Sequence, residues 1–290
     1  MSIDKLQEKI RKCKNPSMVE INADVSLIPK CILEEENGMI PAFARYSGEL
    51  LDTLKELVPA VRFSFSSYAL LGGDGLDVLS QLMHKAKTLC YFVLLDAPVS
   101  YTEADAKRVC DVLCEETCPW PCDGVLVCAY IGADAIKPYA DKLCDVGKDV
   151  FVILRTGNKT AAQLQDLLTG SRLVFVAAAD IVSRLGQPYL GRKHFSSICG
   201  VGAASAADSL RTLRQKYKNM FVLAEGYDYS NANAKNCSYA FDQMGHGAIV
   251  CAGESITGAW REFAREGYLQ AAVEAAERMK KNLLRYINIL

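Results

Sequence analysis

Eight short segments of the chain are mainly apolar runs without regular polar alternation. Strands with that pattern are covered on both faces, as in a parallel sheet. The longer segments between them carry apolar residues every three or four positions, which predicts amphipathic helices. Strands that alternate with helices in this way predict an α/β fold, the single-domain (β/α)8 or TIM barrel. The predicted strands are 18–23, 60–65, 90–95, 124–128, 149–154, 197–202, 221–224 and 248–251.

One of the helical patterns is ambiguous. Segment 171–194 is interpreted as an extra helix after the fifth strand, although residues 173–176 also resemble a strand. An N-terminal extension covers residues 1–17, and a long helical segment, 256–290, follows the last strand. With 290 residues, half of them apolar, the chain is long enough to form the whole barrel as one domain. The other predicted helices are 74–85, 102–117, 133–144, 160–168, 205–217 and 233–244.

Composition narrows the possible partners. The 33 basic and 34 acidic residues give a net charge of −1, which provides no long-range attraction for nucleic acid or an anionic membrane. The first residues lack the profile of a signal peptide, and no apolar stretch is long enough to span a bilayer. We therefore expect a cytoplasmic protein with a small-molecule ligand, and no nucleic-acid or membrane partner.

Twelve cysteines raise the question of disulfides or a metal site. Many lie in apolar strands and helices, as small hydrophobic residues do, which fits a reducing compartment. Four cysteines spaced four residues apart would form a stripe on a helix, but two prolines end any helix before the last of them. The three histidines are dispersed, so we predict no metal site. The stripe is Cys110, Cys114, Cys118 and Cys122, and the prolines are Pro119 and Pro121.

Polar residues stand where the predicted strands end. In a (β/α)8 barrel the active site lies at the C-terminal ends of the strands, so these residues are the candidates for chemistry. Asp96 is among them, and it either binds a ligand or only hydrogen-bonds to nearby backbone. The strand-end candidates are Asn22, Asp24, Arg62, Asp96, Arg155, Asn158, Gly202, Glu225, Gly226 and Glu254.

Laid out in order, these strand ends resemble the longer, bacterial type of orotidine 5'-phosphate decarboxylase, over residues 18–260. The resemblance implies a TIM barrel, a cofactor-independent carboxy-lyase of pyrimidine biosynthesis that forms UMP, a nucleotide-like ligand and a homodimer. The segments that carry it are 21–29 (first-strand Asp-Pro motif), 123–134 (fourth-strand block), 150–158 (Arg-Thr-Ser-Asn strand), 200–203 (Gly-Ala-Thr block) and 245–250 (approach to the phosphate-binding strand).

The catalytic positions depart from the family pattern. Family members carry Asp-Ala-Lys-Arg-Gly-Asp after the third strand, where the lysine protonates the carbanion left by carbon dioxide. Here the same register reads Asp96-Ala97-Pro98-Val99-Ser100-Tyr101, so only the first aspartate remains. The second-strand lysine corresponds to Arg62, which stays protonated and is a poor proton donor. The resemblance therefore leaves Asp96 and Arg62 as the catalytic candidates.

The phosphate end departs as well. The family's seventh-strand glutamine corresponds to Ser230, and the phosphate-clamping arginine of the eighth strand corresponds to Glu254. Unit charges about 4 Å apart interact by roughly 4 kcal/mol at an effective dielectric constant of 20, so this reversal penalises a bound phosphate. The predicted ligand-binding residues are Asp24, Tyr101, Asn158, Gly226, Ser230 and Glu254.

One tetrapeptide, Asp105-Ala106-Lys107-Arg108, repeats the catalytic motif later in the chain. Its neighbours predict an amphipathic helix with Thr102 as its N-cap, whereas the motif acts directly after a strand. We therefore expect Lys107 to face solvent.

Three functions remain open. The first is an active decarboxylase with rearranged residues, and the second is a non-catalytic ligand-binding or regulatory barrel. The third is a diverged enzyme acting on a substrate without a phosphate. We favour loss or replacement of decarboxylation, since fold alone does not determine function.

Overall fold

The computed structural model describes residues 2–228, 232–262 and 267–289. Eight parallel strands close into a barrel in which β1 pairs with both β2 and β8. The prediction of a single-domain (β/α)8 barrel is confirmed, and every predicted strand is present. The strands are β1 Ser17–Ile21, β2 Ala60–Ser64, β3 Phe92–Asp96, β4 Gly124–Cys128, β5 Asp149–Ile153, β6 Ser196–Ala203, β7 Met220–Glu225 and β8 Ala248–Ala252.

Two hydrophobic clusters follow from the alternation of side chains along the strands. One set of alternate positions packs inside the barrel, and the other packs against the surrounding helices. Inside, the rings of Phe92, Phe151, Phe221 and Phe195 meet edge to face in a chain, with neighbouring centroids 6.2 to 6.3 Å apart. The barrel interior is therefore a packed core, and only its ends are free for chemistry.

Eight helices of ten or more residues lie in the described part of the chain. One of them, α2, was missed by the sequence analysis, although its apolar face is fully buried against the barrel. The helices are α1 Ser2–Cys13, α2 Met39–Leu54, α3 Gly72–Thr88, α4 Glu103–Cys114, α5 Ala133–Leu143, α6 Val174–Gly186, α7 Ala207–Lys216 and α8 Tyr268–Leu283.

Three predicted helices are shorter than expected. Segment 160–168 contains only Ala162–Gln165, and 233–244 contains only Ala234–Ser238. The segment 256–290 is not one helix, because glycines at 258 and 267 precede Ala259–Arg261 and α8. Of the ambiguous residues 173–176, only Leu173 lies in a strand, as part of a two-stranded hairpin over 168–173, and Val174 begins α6, so the extra helix is confirmed. The remaining short helices are Val25–Leu27, Lys30–Glu35, Phe65–Ala69, Ala129–Ile131, Gln187–Tyr189 and Glu254–Thr257.

Helix α1 closes the N-terminal end of the barrel. Its residues Ile3, Leu6 and Ile10 are buried in the same cluster as the inward-facing strand residues. Beneath it lies Asp149, at the first position of β5, with 0% exposure. Neither of its carboxylate oxygens has a hydrogen-bond partner among the described residues. Burial raises the pKa of Asp149 to about 8, and the nearby polar groups of Ser197, Ile3 and Ser2, which stand outside hydrogen-bond geometry, offset only part of that shift.

No helix in the described ranges is long and apolar enough to cross a membrane.

Candidate functional site

The C-terminal mouth of the barrel carries a layer of charged side chains directly above the apolar interior. Met18, Ala60, Phe92 and Phe221 belong to the interior cluster. Glu20 and Arg62 lie two residues beyond Met18 and Ala60 on the same strands. Asp96 and Glu225 lie four residues beyond Phe92 and Phe221. The alternation that fills the barrel with apolar groups therefore also brings three carboxylates and one guanidinium together at its rim.

Arg62 is the centre of this layer. Its Nη1 atom lies 2.5 Å from Glu225 Oε1 and 3.6 Å from Glu20 Oε1, and its Nη2 atom lies 3.0 Å from Asp96 Oδ2. Only 11% of the Arg62 side chain is exposed. Burial alone would lower the pKa of Arg62, but the surrounding carboxylates outweigh it and raise the pKa well above its ordinary value. Arg62 is therefore a permanent cation and cannot deliver a proton.

For Glu225, burial has a larger effect on the pKa than the neighbouring charge of Arg62. Burial raises its pKa above the ordinary value, and the neighbouring Arg62 offsets part of that rise. The Arg62–Glu225 contact joins β2 to β7, which are not neighbours in the barrel. It therefore fixes the mouth across the barrel as well as placing the charges.

A cavity of about 440 Å³ opens beside this layer. Five of its lining residues are acidic, and Arg62 is the only basic one among the described lining residues. The volume lies in the ordinary range of small-molecule sites, roughly 300 to 1,000 Å³. The described lining residues are Glu20, Asn22, Asp24, Leu27, Arg62, Glu225, Gly226, Asp228, Cys251, Gly253, Glu254 and Thr257.

The outer wall of the cavity is held by short polar contacts. Asp24 caps the turn Val25–Leu27 by accepting a hydrogen bond from Ser26 N at 2.8 Å. Asp228 accepts from Gly253 N at 2.6 Å and from Ser255 N at 3.3 Å, at the start of the short helix Glu254–Thr257. Glu254 itself pairs with Arg261. The carboxylates that face the cavity are therefore fixed in place by the chain's own backbone and by one arginine at the rim.

A second pocket, of about 100 Å³, lies on the other side of Asp96. It is mainly apolar, with Pro98, Leu126 and Ile153 among its lining residues. Ser100 and Tyr139 hydrogen-bond to each other at its edge, 2.6 Å apart. None of the described residues that line it is a lysine or an arginine. Asp96 lines this apolar pocket and Arg62 lines the acidic cavity, so their ion pair connects the walls of the two.

Several predicted site residues lie away from the cavity. Tyr101 is 76% exposed and lines neither pocket. Asn158 lies in the loop after β5, where it accepts from Thr156 Oγ1 at 2.6 Å and donates to Thr160 Oγ1 at 3.2 Å. Asn158, a predicted ligand-binding residue, therefore lines neither pocket. Ser230 lies outside the described residues.

Lys107 lies on the outer helix α4, as expected, and pairs with Glu103 at 2.5 Å. The N-cap prediction is confirmed, since Thr102 and Asp105 form a capping box in which each side chain bonds the backbone of the other. The helix is thereby fixed with Lys107 turned toward Glu103 on its surface.

Glu20 and Asp228 are site residues that the sequence analysis missed. Glu20 interrupts an otherwise apolar strand two residues after the inward-facing Met18, and this spacing was the available signal. Asp228 lies in the loop beyond β7, and no spacing rule relates it to the cavity. Gly226, which was predicted, lines the cavity with a φ of 75°, a conformation that favours glycine.

In the cysteine stripe, Cys110 and Cys122 are buried. Burial raises the pKa of Cys110 to about 12 and that of Cys122 to about 11, which keeps both thiols protonated at neutral pH. Within the described ranges, no three His, Cys, Asp or Glu side chains lie where they could hold a metal ion.

Comparisons with known proteins extend the similarity over nearly the whole chain. No protein-family model matches the sequence. An orotidine 5'-phosphate decarboxylase of Clostridium botulinum is 25% identical over 286 residues, covering 98% of this chain and 99% of the relative. One from Caldicellulosiruptor saccharolyticus is 22% identical and covers 97% of each chain. Among solved structures, the orotidine 5'-monophosphate decarboxylase of Plasmodium berghei superposes with a TM-score of 0.76 at 13% identity, over 98% of each chain.

Proposed function

We propose that this chain is a diverged barrel of the orotidine 5'-phosphate decarboxylase type that has lost decarboxylation and binds a small molecule without a phosphate in its mouth cavity. The curated relatives align over nearly the whole chain, which supports descent from the decarboxylases. The observation that carries the loss is that the described residues lining the two mouth pockets include no lysine, the proton donor that the resemblance implies. Among the described residues that line the two mouth pockets, Arg62 is the only cation.

Decarboxylation needs an acid beside the carbon that loses carbon dioxide. Proton transfer requires a group within hydrogen-bond reach whose pKa lies near the working pH. Pro98 lines the apolar pocket in the position that the resemblance gives to lysine, and it has no titratable group. Arg62 holds its proton too strongly, because Glu225, Glu20 and Asp96 stabilise its charge. Asp96 is thus the one family carboxylate left beside that pocket.

The phosphate end supports the same conclusion. Glu254 lines the cavity where the resemblance implies an arginine, and Asp24 and Asp228 face the same space. In decarboxylases of this type the remote phosphate contributes binding energy that supports chemistry at the ring. A carboxylate in place of the clamp therefore opposes both binding and turnover.

The alternative of an active enzyme with rearranged residues depends on Lys107. This lysine is on the solvent-facing surface of α4, is paired with Glu103 and lines neither mouth pocket. We propose that it is not catalytic. The other alternative, a non-catalytic ligand-binding barrel, shares the cavity proposed here and differs only in whether the bound molecule is transformed.

Complementation of a uracil-requiring strain tests the proposal in cells. We expect no growth without uracil from the wild-type chain or from Lys107→Ala. Growth by the wild type that Lys107→Ala abolishes would establish the rearranged enzyme instead.

Calorimetry with UMP tests the phosphate end directly. Glu254→Arg replaces a repulsion with a bidentate clamp, so we expect it to bind UMP more tightly than the wild type. Glu262→Arg is the matched control. Glu262 is also an exposed glutamate paired with an arginine, Arg278, but it does not line the cavity. Equal, measurable binding by wild type and Glu254→Arg would show that position 254 does not face a phosphate.

We also propose the homodimer that the resemblance implies and the cytoplasmic location that the sequence indicates. Light scattering on the purified protein tests the first, and a monomer mass would contradict it.

A further inference from the structure

We propose that helix α1 is a proton-controlled lid, which covers the N-terminal end of the barrel while Asp149 is protonated and is released when Asp149 becomes a carboxylate. This inference concerns the end of the barrel opposite the mouth, so it is independent of the proposed function.

Asp149 lies on the floor of the barrel, the layer of inward-facing residues at the N-terminal ends of the strands. Phe151, two positions later on β5, belongs to the interior cluster, so strand alternation directs Asp149 inward as well. Its partner in register on β4 is Gly124, which has no side chain. Ser2 and the Ile3 backbone act on its pKa from the first turn of α1. With 0% exposure, Asp149 meets bulk water only if a neighbouring element moves.

The contact between α1 and the floor leaves polar atoms without partners. Neither oxygen of Asp149 has a hydrogen-bond partner among the described residues, and the same holds for Ser2 Oγ and both side-chain polar atoms of Gln7 on α1. All three residues are at most 5% exposed. A buried carboxylate without hydrogen bonds or a cation is far more costly than a neutral carboxyl group. The closed position of α1 is therefore compatible with a protonated Asp149 and opposed by an ionised one.

The charged groups next to Asp149 in the described chain do not stabilise its carboxylate. The Asp123 carbonyl accepts from Asp149 N at 2.9 Å, and the charge of Asp123 raises the pKa of Asp149. The carboxylate of Asp123 is itself paired with Lys87. Lys148 precedes Asp149 but donates to Leu113 O at 2.5 Å. Both neighbouring lysines are therefore bound to other groups.

Two thiols also lie near Asp149, Cys144 at the end of α5 and Cys199 on β6. Burial raises the pKa of each, so both stay neutral over the range in which Asp149 titrates. Asp149 is therefore the group of this cluster whose charge changes near neutral pH.

The charged side chains of α1 are bound to other groups or exposed. Asp4 accepts hydrogen bonds from Arg192 N at 3.0 Å and Lys193 N at 3.2 Å, and Lys9 donates to the Cys90 carbonyl. None of these described side chains supplies a cation to the buried carboxyl group. The exposed charged residues of α1 are Lys5, Glu8, Arg11 and Lys12.

Helix α1 is the neighbouring element whose movement costs least. It joins no strand, whereas β5 is hydrogen-bonded to β4 on one side and to β6 on the other. Its apolar contact with the floor is made by Ile3, Leu6 and Ile10, which belong to the interior cluster. Local opening of one helix keeps every strand pair, so it costs less than global unfolding. Release of α1 is therefore the direct way to hydrate an ionised Asp149.

The closed state binds the proton of Asp149 more tightly than the open state. Burial raises the pKa of Asp149 to about 8 in the closed state, whereas an aspartate in water has a pKa of about 3.9. Closure is therefore fully favoured below about pH 4 and weakens by up to about tenfold per pH unit between these two pKa values. Above about pH 8 it stays constant.

Hydrogen–deuterium exchange of the backbone amides from pH 5 to pH 9 is the test. Protection factors, which correct for the intrinsic exchange rate at each pH, are compared between the wild type and Asp149→Asn. We expect the protection of α1 to fall by up to about tenfold per pH unit up to about pH 8 in the wild type, and to stay constant in Asp149→Asn. Helix α3, which packs on β2 and β3, should be more protected than α1 at every pH, because release of α1 leaves the barrel closed.

The matched control is Asp145→Asn. Asp145 is exposed in the turn before β5, so this variant makes the same substitution outside the floor. It should follow the wild type at every pH. Asp149→Ser is a second test variant, because its hydroxyl does not titrate in this range, and it should lose the pH dependence as Asp149→Asn does. Circular dichroism confirms that each variant folds.

Two results would overturn the lid. One is the same pH dependence of α1 protection in the wild type and in the Asp149 variants. The other is equal protection of α1 and α3 at each pH, which would show that the whole barrel opens together. Neither result bears on the decarboxylation assay, whose outcome tests the proposed function alone.

Discussion

Replacing Asp149 with asparagine should make the protein more stable at alkaline pH. Asp149 is fully buried beneath α1, and burial raises its pKa to about 8. An aspartate in the unfolded chain has a pKa of about 3.9, so between these two pKa values the folded state binds one proton more than the unfolded state. The stability that the protonated Asp149 contributes is therefore fully present below about pH 4 and is lost as the pH rises to about 8. Asparagine has no proton to lose and keeps nearly the same shape.

The size of the effect follows from the two pKa values. A separation of roughly four units at about 1.4 kcal/mol per unit sets an upper limit of about 5 to 6 kcal/mol for the difference at pH 8. Urea unfolding of both proteins under reducing conditions, at intervals from pH 5 to pH 9, measures it. The wild type should lose stability relative to Asp149→Asn up to about pH 8 and then run parallel to it. A constant difference across the range would show that Asp149 does not titrate there in the folded protein.

Three further substitutions test the packing and the charges. Arg62→Met leaves the carboxylate of Glu225 buried without its cation, so it should cost about 3 to 5 kcal/mol of unfolding free energy at pH 7. Urea unfolding measures this cost, with Arg172→Met on the surface as the control. A loss no larger than that of the control would contradict the prediction. Thr102→Ala removes the capping box of α4 and should cost about 1 kcal/mol, measured in the same way. Leu6→Ala, in the fully buried face of α1, should cost about 2 to 5 kcal/mol, and an unchanged midpoint would mean that α1 is not docked on the barrel.

The strands were predictable from the sequence, whereas some helices were not. Strands such as β3 and β5 are short apolar runs covered on both faces, and this pattern is local. Helix α2 has a clear apolar face in the structure, but Gly48, Pro41 and Ser47 weaken its local signal. The helix is stabilised by burial of residues such as Phe43 and Leu50, which depends on the completed barrel.

The positions of the strand ends predicted part of the candidate site. Asp24, Arg62 and Glu254 end or follow strands, and the structure brings them to one cavity. Asn158 also follows a strand, but hydrogen bonds to Thr156 and Thr160 hold it within its own loop. Such local bonds compete with a role in the site, and the chain order of the residues does not reveal which of the two prevails.

The most direct test of the central claim is the absorbance assay of orotidine 5'-phosphate decarboxylation by the purified wild-type protein, with the Clostridium botulinum relative as the positive control. The mouth holds one arginine that cannot release its proton and no lysine among the described lining residues, so we expect no conversion above the uncatalysed rate. Turnover comparable to that of the relative would contradict the account, because it would require a proton donor other than the lysine that Pro98 replaces.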